Sequence, residues 1–243
     1  MVFCQGSNEN LLNSICYNNK HTQYNLMRTF MIPRYSYPLL LSLLFAVGLV
    51  QADTPTAEEI VRSTADQVIA RLKADREELN ARPELIYNLV DELIIPHFDF
   101  TSMSKWVLGQ NWRRATPAQQ ESFTTQFRTL LVRTYAKALL EYSDNEITYY
   151  PVQDNPESNL LVVKTDVAQT GATKIPINYS LHIKEGEWKV VDVAINGISL
   201  VSTYRGSFAT EIRTNGLDSL INQLIDKNNK IAINDTQPAS ETR

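Results

Sequence analysis

Cysteine is nearly missing from this 243-residue sequence: Cys4 and Cys16 are the only two, and both precede an apolar run at Pro38 to Val50. If that front end is removed, what remains has no disulfide, no thiol nucleophile and no thiolate metal ligand, so an ordinary apolar core must hold it. Histidine is almost as scarce, with only His97 and His182 beyond the run. No phosphate loop, GxGxxG, HExxH or GxSxG occurs, which removes the common nucleotide, zinc-protease and serine-hydrolase signatures. No apolar run reaches the roughly 20 residues of a membrane-spanning helix.

The run itself, PLLLSLLFAVGLV, follows Arg28 and Arg34 and ends in Val50-Gln51-Ala52, with small residues where a signal peptidase reads. Residues 1–52 therefore read as a signal peptide with cleavage after Ala52, and with no cysteine there a lipoprotein anchor is not expected. A basic region so far from Met1 is atypical, and the expected translation start is Met27 or Met31. Removing residues 1–52 takes away Lys20, Arg28, Arg34 and Glu9, leaving 20 basic against 26 acidic side chains, a net charge of −6. A mildly acidic surface argues against nucleic acid as a partner.

The rest of the chain is organised around Lys174 to Phe208. Ile175, Ile177, Tyr179, Leu181 and Ile183 alternate with polar residues, the period of a strand with one greasy face. Glu185-Gly186-Glu187 turns the chain, and Trp188 to Ile195 returns as a strand apolar on both faces. Asn196-Gly197 reads as a break, and Ile198 to Phe208 as a helix packed on the sheet.

Ahead of this, Thr56-Ala57-Glu58-Glu59 has the form of a capping box, and Ile60, Val61, Ala65, Val68, Ile69 and Leu72 recur at helical spacing to about Leu79. Pro83 opens a second helix that Pro96 stops, and Asp99 caps a third that ends at Gly109. Asn111, Arg113 and Arg114 fall in a loop. Thr116-Pro117 opens the longest helix, to about Tyr142, carrying a broad apolar stripe through Phe123, Phe127, Leu130 and Leu131. Four strands follow, from Glu146, Leu160, Lys174 and Glu187, separated by turn residues at Asp154-Asn155-Pro156, Thr170-Gly171 and Glu185-Gly186. A last helix holds Leu217, Leu220, Ile221 and Leu224. The reading is an α+β domain over 53–227, a curved four-stranded antiparallel sheet with about six to seven helices, then a polar, disordered tail at 228–243.

Few residues offer chemistry. His97 and Asp99 could begin a metal site, but with no further histidine or cysteine nearby a helix junction is the simpler reading. His182 projects from the wet face of its strand and reads as solvated. Asp192, inside VVDVAI, either has a raised pKa suited to acid or base work or is paired with Arg205 or backbone N–H groups; pairing is favoured, because no second acid or histidine completes a mechanism. Trp106, Trp112 and Trp188 read as core or rim anchors.

Read together, Lys105-Trp106-Val107-Leu108-Gly109, Trp112-Arg113, Phe123 to Tyr135 (FTTQFRTLLVRTY), Trp188 to Val193 (WKVVDV), Gly197 to Val201 (GISLV) and Tyr204 to Phe208 (YRGSF) resemble the MlaC or toluene-tolerance family of periplasmic phospholipid carriers. The match spans about Ile60 to Leu224, in order. The resemblance implies an apolar lipid cavity between a curved sheet and its helices, with no cofactor other than the phospholipid cargo. Its partners would be an outer-membrane lipoprotein-porin complex and an inner-membrane MCE-domain ABC transporter. On that basis Trp106, Leu108, Phe123, Phe127, Leu130, Leu131, Ile177, Tyr179, Val191, Val193 and Val201 are candidates for acyl-tail contact, and Arg113 for the headgroup phosphate. Alternation looks the same in a solid core, so about half of these are expected to be filling. Two other readings remain at this point: an isomerase or hydrolase on a cone-shaped scaffold using Asp192, and a chaperone-like module whose stripe binds protein segments.

Overall fold

The helices begin where their caps dictate. A computed structural model describes residues 54–142, 146–152, 159–168 and 173–236. The expected signal peptide, its cleavage point, the turns at Asp154-Asn155-Pro156 and Thr170-Gly171, and the end of the tail lie outside the described residues. The chain divides after Gln51, and all described residues belong to the unit Ala52–Arg243.

Helix α1 (Ala57–Ala74) starts at the reciprocal Thr56–Glu59 box, with the Glu59 amide donating to Thr56 Oγ1 at 3.2 Å and the Thr56 amide to Glu59 Oε2 at 2.7 Å. It stops short of the predicted Leu79: Asp75 leaves helical geometry, and α2 (Arg76–Ala81) continues separately. A 3₁₀ turn at Pro83–Leu85 leads into α3 (Ile86–Leu93), and a second at Ile95–His97 holds Pro96. Asp99 caps α4 (Phe100–Leu108) by accepting from the Ser102 amide at 3.1 Å. Where a loop was predicted, Gln110–Arg114 forms a short helix, α5. Helix α6 (Pro117–Tyr135) has a Thr116–Gln119 box, and its predicted extension to Tyr142 winds more tightly as a 3₁₀ stretch, Ala136–Tyr142.

The sheet has five antiparallel strands in sequence order, β1 (Glu146–Tyr149), β2 (Leu161–Ala168), β3 (Ile175–Lys184), β4 (Glu187–Ile195) and β5 (Ile198–Ser199), one more than predicted. The extra strand follows from Asn196-Gly197. Both residues have positive φ, 51° and 78°, as a two-residue primed turn requires, so the dipeptide folds the chain back into a hairpin instead of simply breaking it. Glu185 and Gly186, at 55° and 84°, make the equivalent turn between β3 and β4. The helix predicted from Ile198 therefore begins two residues later, as α7 (Leu200–Asn215). After Gly216, α8 (Leu217–Thr236) runs well beyond the predicted end of the domain at 227. Polar contacts hold this extension: buried Asn228 donates to the Gln126 carbonyl at 3.0 Å, Arg133 donates to the Asn228 carbonyl at 3.1 Å, and Asp235 pairs with Lys137 at 2.5 Å. A reading that equates polarity with disorder misses such a helix. Eight α-helices are thus present among the described residues, against the six to seven predicted.

A β-bulge lets β4 bury both its faces. Ser180 pairs with Asp192 and Leu181 with Val190, leaving Val191 unpaired, so consecutive Val190 and Val191 are both buried yet join different apolar clusters. Val191 enters a core built from α4, α6, α7 and α8; Val190 packs with Val163, Leu181 and the α1 residues Ala57 and Val61. A third cluster joins α1, α2 and α3 to the 3₁₀ stretch after α6.

Candidate functional site: an aliphatic cavity between α1 and the sheet

A cavity of about 320 Å³ separates α1 from the sheet. From α1 it takes the helical stripe Ile60, Val61, Thr64, Ala65, Val68, Ile69 and Leu72. From the sheet it takes Ile147, Val167, Ile175, Ile177, Tyr179, Val190, Val193 and Ile195. Strand register explains this set: Val167 opposes both Ile147 and Ile175, Ile177 opposes Ile195, and Tyr179 opposes Val193, so they form rows on one face. Val90, Ile94, Ile95, Phe98, Phe100 and Met103 close one flank; Leu131, Val132, Tyr135, Ala136, Ala138 and Leu139, with Leu200, close the rest.

The wall carries no formal charge at neutral pH. Burial lowers the pKa of His97, the one titratable base on the wall, and nearby Lys189 lowers it further, so the ring is neutral. Burial pushes the Tyr179 hydroxyl up to about 12. Such a surface accommodates hydrocarbon and offers nothing to stabilise an ion. Among the described residues no group of three or more His, Cys, Asp or Glu is placed to hold a metal, and no helix is long and apolar enough to cross a membrane.

Leu131, Ile177, Tyr179 and Val193 of the predicted contact set lie on this wall. Trp106, Leu108, Phe123, Phe127, Leu130, Val191 and Val201 do not; they sit in or against the helical core. The division runs along α6. Phe123 and Phe127, both fully buried, stack at 5.6 Å and meet Phe208 edge-on at 5.9 and 6.1 Å, so this part of the stripe is filled by α7. Only the last turn of α6 reaches the cavity. Arg113 is exposed on α5 and does not border it. The α1 stripe, the 3₁₀ stretch, the flank over residues 90–103 and the β1–β2 residues Ile147 and Val167 all line the cavity outside the predicted set, although the α1 periodicity was visible as an amphipathic helix.

Asp192 takes the paired role. Ser199 Oγ donates to its Oδ2 at 2.5 Å and the Val201 amide to its Oδ1 at 3.1 Å, while Ser199 Oγ also accepts from the Ser202 amide at 3.0 Å. The carboxylate thus sits at the positive end of α7, bonded directly by the Val201 amide and through the Ser199 hydroxyl to the Ser202 amide. Its hydrogen-bond partners are the Val201 amide and the Ser199 hydroxyl, and Arg205 takes no part. It does not border the cavity. His182 is not solvated as predicted: its Nε2 lies 3.1 Å from Oδ2 of buried Asp99, whose Oδ1 is 3.0 Å from Lys184 Nζ. Burial opposes ionisation of Asp99, but the Ser102 hydroxyl and amide and Lys184 outweigh it and hold its pKa at about 2. The cluster ties the start of α4 to the end of β3.

A second, polar cleft of about 540 Å³ shares Ile95, Phe98, Phe100 and Val132 with the cavity wall. Its cations already have acceptors: Arg128 on Asp91 at 2.5 Å, Lys184 on Asp99, and Arg133 on the Asn228 carbonyl.

Comparison with known proteins places this geometry in context. The family model described as MlaC protein matches residues 62–226. The chain is 32% identical over 180 residues to the toluene tolerance protein ttg2D of Pseudomonas putida, covering 74% of this chain and 83% of that protein. It is 23% identical over 168 residues to the intermembrane phospholipid transport system binding protein MlaC of Haemophilus influenzae, covering 68% and 78%. A solved structure of the phospholipid-binding protein from Ralstonia solanacearum, in complex with a phospholipid, superposes with a TM-score of 0.68 at 30% identity, covering 73% of this chain and 99% of that one.

Proposed function

The chain belongs to the MlaC family, and from that membership we propose that it is a phospholipid carrier whose cargo buries its acyl tails in the cavity between α1 and the sheet. The headgroup stays at the mouth in water. In this reading residues 1–52 direct export and are removed after Ala52, and the protein works in the periplasm. It takes phospholipid from, or delivers it to, an outer-membrane lipoprotein-porin complex on one side and an inner-membrane ABC transporter with an MCE-domain subunit on the other, maintaining outer-membrane lipid asymmetry.

The observation that carries the reading is the uncharged, predominantly apolar wall. Two acyl tails hold roughly 30 methylenes, and at ~0.8 kcal/mol each their exposure costs on the order of 20 kcal/mol, which makes unassisted passage through water very slow. A carrier replaces that burial and must also release the lipid. An apolar cavity with few polar contacts meets both demands once it widens beyond its roughly 320 Å³ to admit the tails, since it provides burial without a strong anchor at the headgroup. Of the residues nominated by the sequence, Leu131, Ile177, Tyr179 and Val193 are the tail contacts in this reading.

Native mass spectrometry of the purified unit from Asp53, followed by organic extraction, tests it. A phospholipid adduct is expected, lost on delipidation and regained from vesicles of phosphatidylethanolamine and phosphatidylglycerol. Protein that neither carries a phospholipid nor takes one up from such vesicles would refute the proposal.

A further inference from the structure

The cavity face of the sheet is not entirely aliphatic. Tyr149 of β1 pairs with Thr165 of β2, Thr165 with Ile177 of β3, and Ile177 with Ile195 of β4. Directly opposed residues share a face, so Tyr149 and Thr165 project from the same side as Ile177 and Ile195, which line the cavity. Tyr179 lies in the next row of that face, and Thr64 faces the sheet from α1. Four hydroxyls therefore lie on facing surfaces of α1 and the sheet: those of Thr64 and Tyr179 belong to the cavity wall, and Tyr149 and Thr165 continue the same sheet face beside it.

They are not equally satisfied. Thr165 Oγ1 donates to the Ile177 carbonyl at 2.9 Å. Tyr149 OH and Thr64 Oγ1 are buried, and neither has a hydrogen-bond partner among the described residues. A buried hydroxyl left unpaired costs about 1–3 kcal/mol, and such groups are rare enough in folded proteins to need a reason. Burial raises the pKa of Tyr149, as it does that of Tyr179, so both are neutral donors at physiological pH.

The chemistry of a suitable acceptor is restricted. No lysine or arginine lines the cavity, so a phosphate or carboxylate entering it would lack a counter-charge. The acceptor must be neutral and attached to hydrocarbon. Its depth is also restricted: the guanidinium of exposed Arg62 lies 3.9 Å from the centroid of the Tyr149 ring, which puts this hydroxyl group within one side chain of solvent. In a glycerophospholipid the groups between the dry tails and the wet phosphate are the acyl ester carbonyls.

We propose that Tyr149 and Thr64 donate hydrogen bonds to the ester carbonyls of the bound glycerophospholipid, fixing the depth to which it enters. The inference rests on the carrier reading and adds a recognition element to it. The two donors distinguish an acyl ester from an alkyl ether of the same length, because an ether lacks the carbonyl and leaves both hydroxyls unpaired.

Equilibrium binding of dipalmitoyl phosphatidylglycerol and of its dihexadecyl ether analogue to delipidated protein provides the test. Wild type is expected to prefer the ester by about fivefold or more, the worth of one or two neutral hydrogen bonds. Tyr149→Phe and Thr64→Val should each move that ratio toward one, with ether-lipid affinity kept within about twofold. The melting temperature of lipid-free Tyr149→Phe should be no lower than that of wild type, since the hydroxyl has no bond to lose. A wild-type ratio of one overturns the site, and so does a preference that survives in both variants. If neither lipid binds, it is the carrier reading itself that falls. Should a variant fold poorly, the wild-type ratio alone decides.

Discussion

Replacing Phe127 and Ile177 separately by alanine distinguishes filled core from cavity wall, the distinction on which the function turns. Phe127 is fully buried, with its ring 5.6 Å from Phe123, 5.3 Å from Tyr204 and 6.1 Å from Phe208. Truncation there leaves a hole that well-ordered neighbours cannot close, at a cost of about 3–5 kcal/mol. For a domain of this size each kcal/mol is worth ~2–4 °C, so melting should fall by about 10 °C. Ile177 is only partly buried and already borders empty space, so in lipid-free protein its lost atoms had neighbours on one side only. Ile177→Ala should cost no more than about 1–2 kcal/mol. The order reverses with cargo present. Ile177→Ala removes wall that hydrocarbon would touch and should weaken phospholipid binding by about threefold to tenfold, whereas Phe127→Ala, measured below its melting temperature, should leave binding nearly unchanged. Thermal melts of delipidated protein and transfer of a fluorescent phospholipid from vesicles read the two effects separately. Equal destabilisation by both substitutions, or loss of lipid by Phe127→Ala at unchanged stability, would show that the tails lie elsewhere.

Two further expectations concern carboxylates. Asp192→Asn removes the negative charge from the N-terminus of α7 and weakens its bonds to Ser199 and Val201; stability should drop by about 1–2 kcal/mol in urea titration with phospholipid uptake retained, and lost uptake at unchanged stability would contradict the structural role. Asp99 has a folded-state pKa of about 2, below its ordinary value of 3.8, so its ionised form stabilises the fold. That contribution is complete above about pH 4 and disappears as pH falls through 2. Urea midpoints should show wild type ahead of Asp99→Asn at neutral pH, with the gap closing between pH 4 and pH 2; a gap independent of pH would remove the electrostatic explanation.

Much of the architecture was legible locally. Thr56, Asp99 and Thr116 announce helix starts because a side-chain oxygen three residues ahead of an orphan amide satisfies it wherever the rest of the chain lies. The alternation of Ile175, Ile177, Tyr179 and Leu181 gave the β3 face for the same reason: side chains on a strand have nowhere else to point. Ile183 ends that pattern exposed at the hairpin, since alternation describes a face without saying how far its cover extends. The Asn196-Gly197 hairpin was also within reach, through the preference of that dipeptide for two positive φ values. Less accessible were Asn228 and Asp235, whose partners Gln126, Arg133 and Lys137 are about a hundred residues away.

By itself the sequence determined the class of the domain, its family, the order of its longer helices and strands and the faces that avoid water. Which of those faces meet one another, and which meet a void, was settled only by the tertiary arrangement. Water is excluded equally from a packed interior and from a dry hollow, so Phe127 and Ile177 produce the same periodic signal. They differ in what stands opposite: α7 fills the space beside the first, while α1 stands back from the second. The standoff between two elements separated by more than a hundred residues is a property of the assembled fold, and no stretch of either one encodes it alone.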